Sequence, residues 1–337
     1  MPKLLSRGLI VLLLLALVPI FTFFSQPESP TAYSANRGFA QDYAIYSAPI
    51  PAELNFAGER IPIEDPQIRQ AFDRELLVNT YWQSHTVLFL KRAARHFPII
   101  EPILREEGIP EDFKYLPLIE SGLMDVVSPA GATGIWQIME STGEDYGLEI
   151  NRAVDERYHL AKATRVACLY LKEAKEEFGN WTMAAAAYNM GIRGLKSQLE
   201  RQAESDYYSL VLNPETGRYL YRLLAVKEIM TKPERYGFYV EENEKYQPIP
   251  VREIAVDTPL THVKYFNRQF GINYRILKYH NPWLRLEHLP NPGRKTYLIE
   301  VPEAGHHYVV EKNSKEGKRI DLDQNTAKPD SLDRKTQ

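Results

Sequence analysis

The chain has 337 residues, of which 44% are hydrophobic and 25% are charged, and its formal net charge is -3. This composition is ordinary for a globular protein and supplies enough apolar material for a substantial core. The slightly negative charge and the absence of a long basic run argue against a nucleic-acid-binding protein, which usually has a basic face. Because Cys168 is the single cysteine, an intramolecular disulfide and a cysteine-rich metal site are excluded.

Residues 1–25 are predicted to be an export signal or a membrane anchor. Lys3 and Arg7 precede an uncharged apolar run over residues 9–24. A positive flank followed by a run of this length is typical of an export signal. The run is slightly shorter than the ~20 residues of a transmembrane helix. It lacks a small-residue cleavage site, which slightly favours a retained anchor.

A linker and then a long helical segment are predicted next. Residues 26–60 are rich in Pro, Ser, Ala and Tyr and show no periodicity, as in a linker. Asp65 and Pro66 then form a helix start, with a capping residue followed by proline. Apolar residues recur at helical spacing as far as Phe97. We expect this helix to break at Pro98.

The pattern stays helical as far as residue 243. Further helices are predicted over residues 158–178, 181–188 and 214–230, and almost no alternating strand pattern appears before about residue 240. Residues 61–243 are therefore predicted to form an all-α domain.

The character of the sequence changes after Pro248. Short β-type runs occur at residues 254–256, 297–301 and 308–310, with a helix near residues 265–280. Residues 244–310 are therefore predicted to form a small mixed module. Residues 311–337 are charged and poor in apolar side chains, which predicts a disordered tail.

The densest group of candidate functional residues lies between residues 114 and 137. Glu120 follows the apolar run 116–119. A carboxyl group at the end of such a run, placed in a cleft, is expected to be desolvated, which raises its pKa. A general acid for glycosidic bond cleavage needs this property. Taken alone, Glu120 could equally be an ordinary surface residue at a helix end.

Two further patterns follow Glu120 along the chain. Gly131, Gly134 and Gln137 form a Gly-x-x-Gly-x-x-Gln pattern, in which glycines allow close backbone approach and open a cleft. Gln137 can both donate and accept hydrogen bonds, as sugar hydroxyl and amide groups require. Tyr188 and Asn189 stand together at a predicted helix end, where the Tyr188 hydroxyl could hold a catalytic carboxyl group. Each pattern alone could be a turn or a helix stop.

In this order and spacing, these patterns resemble those of the lytic transglycosylase family, which shares the goose-type lysozyme fold. The resemblance spans about residues 75–240 and includes Glu120-Ser121, the glycine-glutamine pattern, Ala-Tyr-Asn-x-Gly at 187–191 and Glu215-Thr216…Arg218-Tyr219. It implies a mainly α protein with a lysozyme-like (goose-type) helical catalytic domain and a small C-terminal mixed α/β module. No lysin-motif repeat is recognisable after that domain, so strong wall anchoring through such repeats is not expected.

The resemblance also implies a reaction. Glu120 would protonate the glycosidic oxygen between N-acetylmuramic acid and N-acetylglucosamine in peptidoglycan. It would then accept the proton of the muramyl 6-hydroxyl, which attacks the anomeric carbon and leaves a 1,6-anhydro end. Residues expected to orient the carboxyl or bind the sugars are Ser121, Gly134, Gln137, Tyr188, Asn189 and Tyr219. No metal or cofactor is implied. The expected partners are glycan strands and, through residues 9–24, the inner membrane facing the periplasm of the cell envelope.

Three alternatives stay open at this point. A hydrolase of the same fold would need a second carboxylate or a positioned water, and Asp125 is the only other acid between Glu120 and Gln137. We expect Asp125 to be a structural turn or cap residue, and Trp136 to serve packing. A catalytically silent wall-binding scaffold would not need Glu120. A membrane-anchored helical adaptor would explain the N-terminus but not the motifs.

Overall fold

The computed structural model describes residues 45–307. The predicted export segment, the first part of the predicted linker and the predicted tail lie outside these residues, as does the β-type run at 308–310. The chain divides into two units after Ser47, and the elements below all belong to the unit that begins at Ala48. Within the described residues, no helix is both long and apolar enough to cross a membrane.

The first element is a short β-hairpin at a place where a linker was predicted. Strands β1 (Leu54–Phe56) and β2 (Glu59–Ile61) pair antiparallel, and the turn residues Ala57 and Gly58 both have positive φ. Phe56 is buried in the main core. The linker predicted over residues 26–60 is therefore wrong in this part. Strands of three residues are too short to show an alternating pattern.

Two long helices follow, α1 (Pro66–Tyr81) and α2 (Gln83–Glu106). Asp65 caps α1 as predicted, because its carboxylate accepts hydrogen bonds from the first turn. The break, however, lies at Trp82, and α2 continues through Pro98. A proline inside a helix costs ~3 kcal/mol. Burial of Ile100, Ile103 and Leu104 beyond Pro98 contributes more than this, at ~1.5–3 kcal/mol for each side chain.

The remaining helices complete a mainly α domain, as the sequence predicted. They are α3 (Leu116–Ser121), α4 (Glu140–Asp145), α5 (Leu160–Phe178), α6 (Trp181–Met190), α7 (Ile192–Gln202) and α8 (Thr216–Thr231). Short 3-10 helices lie at Glu111–Tyr115, Glu156–Tyr158, Tyr207–Ser209, Pro233–Tyr236 and Glu242–Glu244. Helix α8 packs against α1, α3 and α6, so it crosses the middle of the domain. The alanines of α6 are fully buried, which allows close helix packing around the centre.

The C-terminal module folds as β-α-α-β. Strands β3 (Val251–Val256) and β4 (Tyr297–Pro302) pair antiparallel around helices α9 (Val263–Gln269) and α10 (Tyr274–His280). The mixed composition predicted for this part of the chain is confirmed. The single helix predicted near 265–280 is wrong, since Gly271, with a φ of 63°, lies between two separate helices.

Backbone hydrogen bonds join this module directly to the helical domain. The Asp155 N–H donates to the Trp283 carbonyl at 2.9 Å, and the Arg285 N–H donates to the Ala153 carbonyl at 2.8 Å. The Tyr297 hydroxyl donates to the Glu149 carboxylate at 2.9 Å. The module is therefore packed on the helical domain at the segment that leads into α5.

Candidate active site

Glu120 lies near the end of the short helix α3. Leu116, Leu118 and Ile119 are buried in the main core and fix this helix, while the Glu120 side chain is only half-buried. Gly122, with a φ of 64°, ends the helix in the left-handed region that favours glycine. The apolar run predicted from the sequence thus anchors a helix whose last turn presents one carboxyl group.

The Glu120 carboxyl is tuned for proton transfer near neutral pH. Burial raises its pKa to about 7. The Tyr219 hydroxyl, which donates a hydrogen bond to Oε1, and the charge of Arg222 both lower this pKa, whereas the charge of Glu215 raises it. Because the resulting pKa of about 7 is close to neutral pH, the same group can give up a proton and take one back.

The tyrosine that holds Glu120 is Tyr219 and not Tyr188. The Tyr188 hydroxyl donates to the Trp136 carbonyl at 2.8 Å, so the interpretation that Tyr188 holds the carboxyl is wrong. Tyr188 still lies near Glu120, whose charge contributes to raising the Tyr188 pKa. Trp136 is fully buried and donates to the Thr164 hydroxyl, as expected for a packing residue.

Two of the predicted substrate-binding residues lie behind the site and support it. Ser121 is buried, and its hydroxyl donates to the Ile135 carbonyl at 2.7 Å, which ties α3 to residues 131–137, the glycine loop. Gly134 is buried with a φ of 80°, and a Cβ atom there would overlap the backbone oxygen of Arg157. The close approach that requires glycine is therefore to the protein itself. Direct contact of Ser121 or Gly134 with a ligand has no support in this geometry.

Three other predicted residues line a cavity of about 250 Å³. Its polar lining includes Gln137, Tyr188 and Asn189, and its apolar lining includes Met139. The Gln137 amide nitrogen donates to the carbonyls of Gly134 and Val126, so this side chain is fixed in place.

Asn189 is oriented by the last predicted motif. Its amide nitrogen donates to Glu215 at 3.2 Å, and its amide oxygen accepts from the Thr216 hydroxyl at 2.7 Å. The motif that begins at Glu215 therefore positions Asn189 at one end and Glu120, through Tyr219, at the other.

A buried ion pair supports the glycine loop from below. The Arg157 guanidinium bonds both carboxylate oxygens of Asp155, at 2.9 and 2.8 Å, and also donates to the Gly131 carbonyl. Asp155 is the residue whose backbone N–H bonds the C-terminal module. The module and the glycine loop are therefore connected through the buried ion pair of Asp155 and Arg157.

Sequence reasoning missed Arg222 and the positioning role of Glu215. Both lie on or next to α8, far from Glu120 in the chain, and their charges act on its carboxyl. Glu215 could have been found from the sequence because it begins the motif that ends at Tyr219. Arg222 could have been found because it follows Tyr219 by three residues, which places both on the same face of α8.

Asp125, the residue on which a hydrolase would depend, is exposed in the loop after α3. Desolvation by the surrounding protein nevertheless raises the pKa of Asp125 to about 6, and the charge of Arg285 opposes this rise. Among the described residues, Asp125 makes no side-chain hydrogen bond that would mark it as a cap or turn residue. The structural role expected for it stays a prediction.

Comparison with known proteins identifies two domains. Residues 97–211 match the transglycosylase SLT domain, and residues 252–305 match the LysM-like C-terminal domain of soluble lytic transglycosylases. The expectation that no lysin-motif unit follows the catalytic domain was therefore wrong. The β-α-α-β order of the LysM-like domain could not be recognised in the sequence, because the two helices have only seven residues each and β3 is half-exposed.

The chain is also similar to membrane-bound lytic murein transglycosylase D of Escherichia coli. It is 30% identical over 258 residues to the proteins of strains K12 and O6:H1, which covers 74% of this chain. The chain spans just over half the length of these curated relatives, at 56%.

Solved structures of soluble lytic transglycosylases are more distant. The 70-kDa enzyme of Escherichia coli is 20% identical, with a TM-score of 0.38, and the match covers 53% of this chain and 32% of that chain. An inactive mutant of Slt from Pseudomonas aeruginosa is 21% identical, with a TM-score of 0.35, and the match covers 45% and 26%. The assignment rests on the domain matches and the curated relatives: the chain carries a transglycosylase SLT domain followed by a LysM-like domain of the kind found in soluble lytic transglycosylases.

Proposed function

We propose that this protein is a peptidoglycan lytic transglycosylase in which Glu120 is the catalytic acid and base. The observation that carries the proposal is the Glu120 carboxyl, which is half-buried, bonded by Tyr219 and has a pKa of about 7 within an SLT domain. The name of the curated relatives, lytic murein transglycosylase, supports the same activity. The substrate is the β-1,4 bond between N-acetylmuramic acid and N-acetylglucosamine.

The reaction needs one carboxyl group in two protonation states. Protonated Glu120 gives its proton to the glycosidic oxygen as the bond from this oxygen to the muramyl anomeric carbon breaks. The resulting carboxylate then takes the proton of the muramyl 6-hydroxyl, whose oxygen bonds the anomeric carbon. The products are a free 4-hydroxyl and a 1,6-anhydromuramyl end, and no water is consumed. Tyr219 holds the carboxyl in place through both steps, while Gln137, Tyr188 and Asn189 orient the sugars from the neighbouring cavity.

The second candidate is a goose-type lysozyme-like hydrolase with Asp125 as the base that activates water. The specific observation in its favour is the pKa of about 6 at this exposed carboxyl group, which suits a general base. A scaffold without catalysis is disfavoured, since it has no use for a carboxyl group whose pKa is raised by burial.

We further propose that the protein acts in the cell envelope, on the periplasmic side, with residues 9–24 as its inner-membrane anchor. The apolar run with its positive flank supports this location, and the curated relatives are named membrane-bound. Separating cell extracts into membrane and soluble fractions tests the anchor. Recovery of the protein in the soluble fraction would contradict it.

The test of the activity is mass spectrometry of purified peptidoglycan after digestion by four proteins: the unaltered chain, Glu120→Gln, Asp125→Asn and the exposed-surface control Glu200→Gln. We expect muropeptides lighter by one water and without a reducing end. Glu120→Gln should lose ~10²–10⁴-fold in rate, as removal of a general acid does. Asp125→Asn and Glu200→Gln should retain the rate. Reducing-end products that disappear in Asp125→Asn would instead establish the hydrolase.

A further inference from the structure

An exposed aromatic stack lies where α1 meets α2. Trp82 separates the two helices with a non-helical ψ of 60°, and its side chain is 55% exposed. Its ring stacks on His85, with centroids 4.1 Å apart and planes 8° from parallel. An indole ring that is backed by a second ring and open to solvent on its other face is a rigid, flat, apolar surface.

This stack is continuous with the helix that carries Glu120. His85 packs on Phe89, with ring centroids 4.1 Å apart. Phe89 in turn lies 3.3 Å from the position that a Cβ atom would have at Gly122, the residue that ends α3. Arg92 donates to the Gly122 carbonyl at 3.0 Å. The exposed ring is therefore the outer end of a packed row that begins at Gly122, two residues after Glu120.

Arg222, in the same region, is a charged group that has no partner among the residues the structure describes. It is half-buried and lies one helical turn after Tyr219, the residue that bonds Glu120, and its charge also lowers the pKa of both Glu120 and His85. Within residues 45–307 its side chain donates no hydrogen bond and forms no ion pair. The neighbouring Arg218, in contrast, bonds both carboxylate oxygens of the buried Glu75. A half-buried guanidinium with five unused donors is suited to bind a carboxylate or carbonyl oxygen of a ligand.

We propose that Trp82 and Arg222 form a binding site for a muramyl unit beside Glu120, with the sugar ring on the Trp82 face and the lactyl carboxyl oxygen on Arg222. This inference rests on the proposed function and names the parts of the substrate that the site recognises. A β-linked sugar ring has an apolar face of axial C–H groups, which fits an exposed indole ring. The lactyl group is the only acid on a bare glycan strand, which fits the half-buried guanidinium of Arg222 on the helix that bonds Glu120.

Trp82 contacts the sugar ring and Arg222 binds the lactyl carboxyl group. Two ligands that differ only in the lactyl group therefore distinguish the contributions of the two residues. The probes are a bare hexasaccharide of alternating N-acetylglucosamine and N-acetylmuramic acid, and the N-acetylglucosamine hexamer, which lacks lactyl groups. Binding is measured by calorimetry with the full chain carrying Glu120→Gln, which prevents cleavage. Trp82→Leu should weaken both ligands about tenfold, and Trp82→Phe should restore most of the loss. Arg222→Gln should weaken only the muramyl ligand about tenfold, as loss of one charge-assisted bond does.

The matched controls are Tyr239→Ala, which changes an exposed aromatic residue, and Arg69→Gln, which changes an exposed arginine. Both variants should bind the two ligands as tightly as the parent does. The site is overturned if Trp82→Leu binds both ligands as tightly as the parent does. It is also overturned if Arg222→Gln weakens both ligands equally, or if the parent binds neither ligand. Failure of the proposed function is distinguishable, because it appears as an absence of anhydro products from the unaltered chain while the binding differences persist.

Discussion

The two sides of Glu120 differ in how their polar groups are used. On the side of the glycine loop, the hydroxyl of Ser121, the amide nitrogen of Gln137 and the guanidinium of Arg157 are all bonded to protein atoms. On the side of the α1–α2 junction, Trp82 is exposed and Arg222 has no hydrogen-bond partner among the described residues. The polar groups on the glycine-loop side are thus mainly bonded within the protein, whereas Trp82 and Arg222 keep groups available to a ligand.

The largest effect expected on the glycine-loop side is that of Gly134→Ala. Its added Cβ would overlap the Arg157 carbonyl, and alanine is also disfavoured at a φ of 80°. Gly131→Ala is the matched control, because its φ of 88° imposes the same backbone strain with no atom within 4 Å of the new Cβ.

Urea unfolding should show a loss of about 4 kcal/mol for Gly134→Ala and about 1 kcal/mol for Gly131→Ala. The difference between the two values measures the close approach alone. Equal losses would contradict the view that this glycine serves packing against Arg157.

Gly134 also illustrates how far the sequence could predict this site. The Gly-x-x-Gly-x-x-Gln spacing predicted a loop that needs glycine, but it could not tell whether the close neighbour was a ligand or the protein itself. That distinction depends on Arg157, which is brought under the loop by the fold. In the same way the sequence located Glu120 and Tyr219, but it assigned to Tyr188 the contact that Tyr219 makes.

The fold was predictable where local patterns are long. The helices with strong periodicity and caps, such as the one that starts after Asp65, were placed to within a few residues. The three-residue strands β1 and β2 and the module's seven-residue helices were missed or merged, since each is too short to show a period. The break at Trp82 was missed because it has neither proline nor glycine, and burial beyond Pro98 outweighed that proline's local preference.

The next effect concerns the free-energy cost of holding Glu120, the proposed catalytic group, with a raised pKa. Folding raises the pKa of Glu120 from 4.5 to about 7, mainly through burial. Its contribution to stability is therefore fully present below pH 4.5 and is lost as the pH rises through about 7. Glutamine carries no charge at any pH, so Glu120→Gln should be more stable than the unaltered chain at pH 8 by about 2 kcal/mol, a value reduced for partial solvent exposure.

Urea unfolding at several pH values checks this expectation. The stability difference should disappear near pH 4.5 and should be absent at every pH for the exposed control Glu200→Gln. A difference that does not vary with pH would mean that the substitution acts through packing and not through the charge.

A smaller effect is expected from Tyr219→Phe. This change removes the hydroxyl that donates to Glu120, and because that hydrogen bond lowers the pKa of Glu120, its loss should raise the pKa further. The alkaline limb of the pH–rate profile should then move to higher pH, and kcat should fall by about tenfold because the carboxyl is held less firmly.

Tyr207→Phe is the matched control, since this buried tyrosine donates to the Thr216 carbonyl and does not contact Glu120. It should destabilise the fold without shifting the pH profile. If both variants leave the profile in place, Tyr219 supports the fold only.

The smallest of these effects is that of Ser121→Ala, and it tests whether a motif residue can be purely supportive. The change removes the hydrogen bond to the Ile135 carbonyl and leaves this buried oxygen unpaired, which should cost about 1–2 kcal/mol in urea unfolding. The exposed Ser197→Ala should cost less than about 0.5 kcal/mol. Because Ser121 has no open path to a ligand, KM should stay unchanged for Ser121→Ala, and any loss should fall on kcat. A rise in KM alone would indicate that Ser121 contacts the substrate.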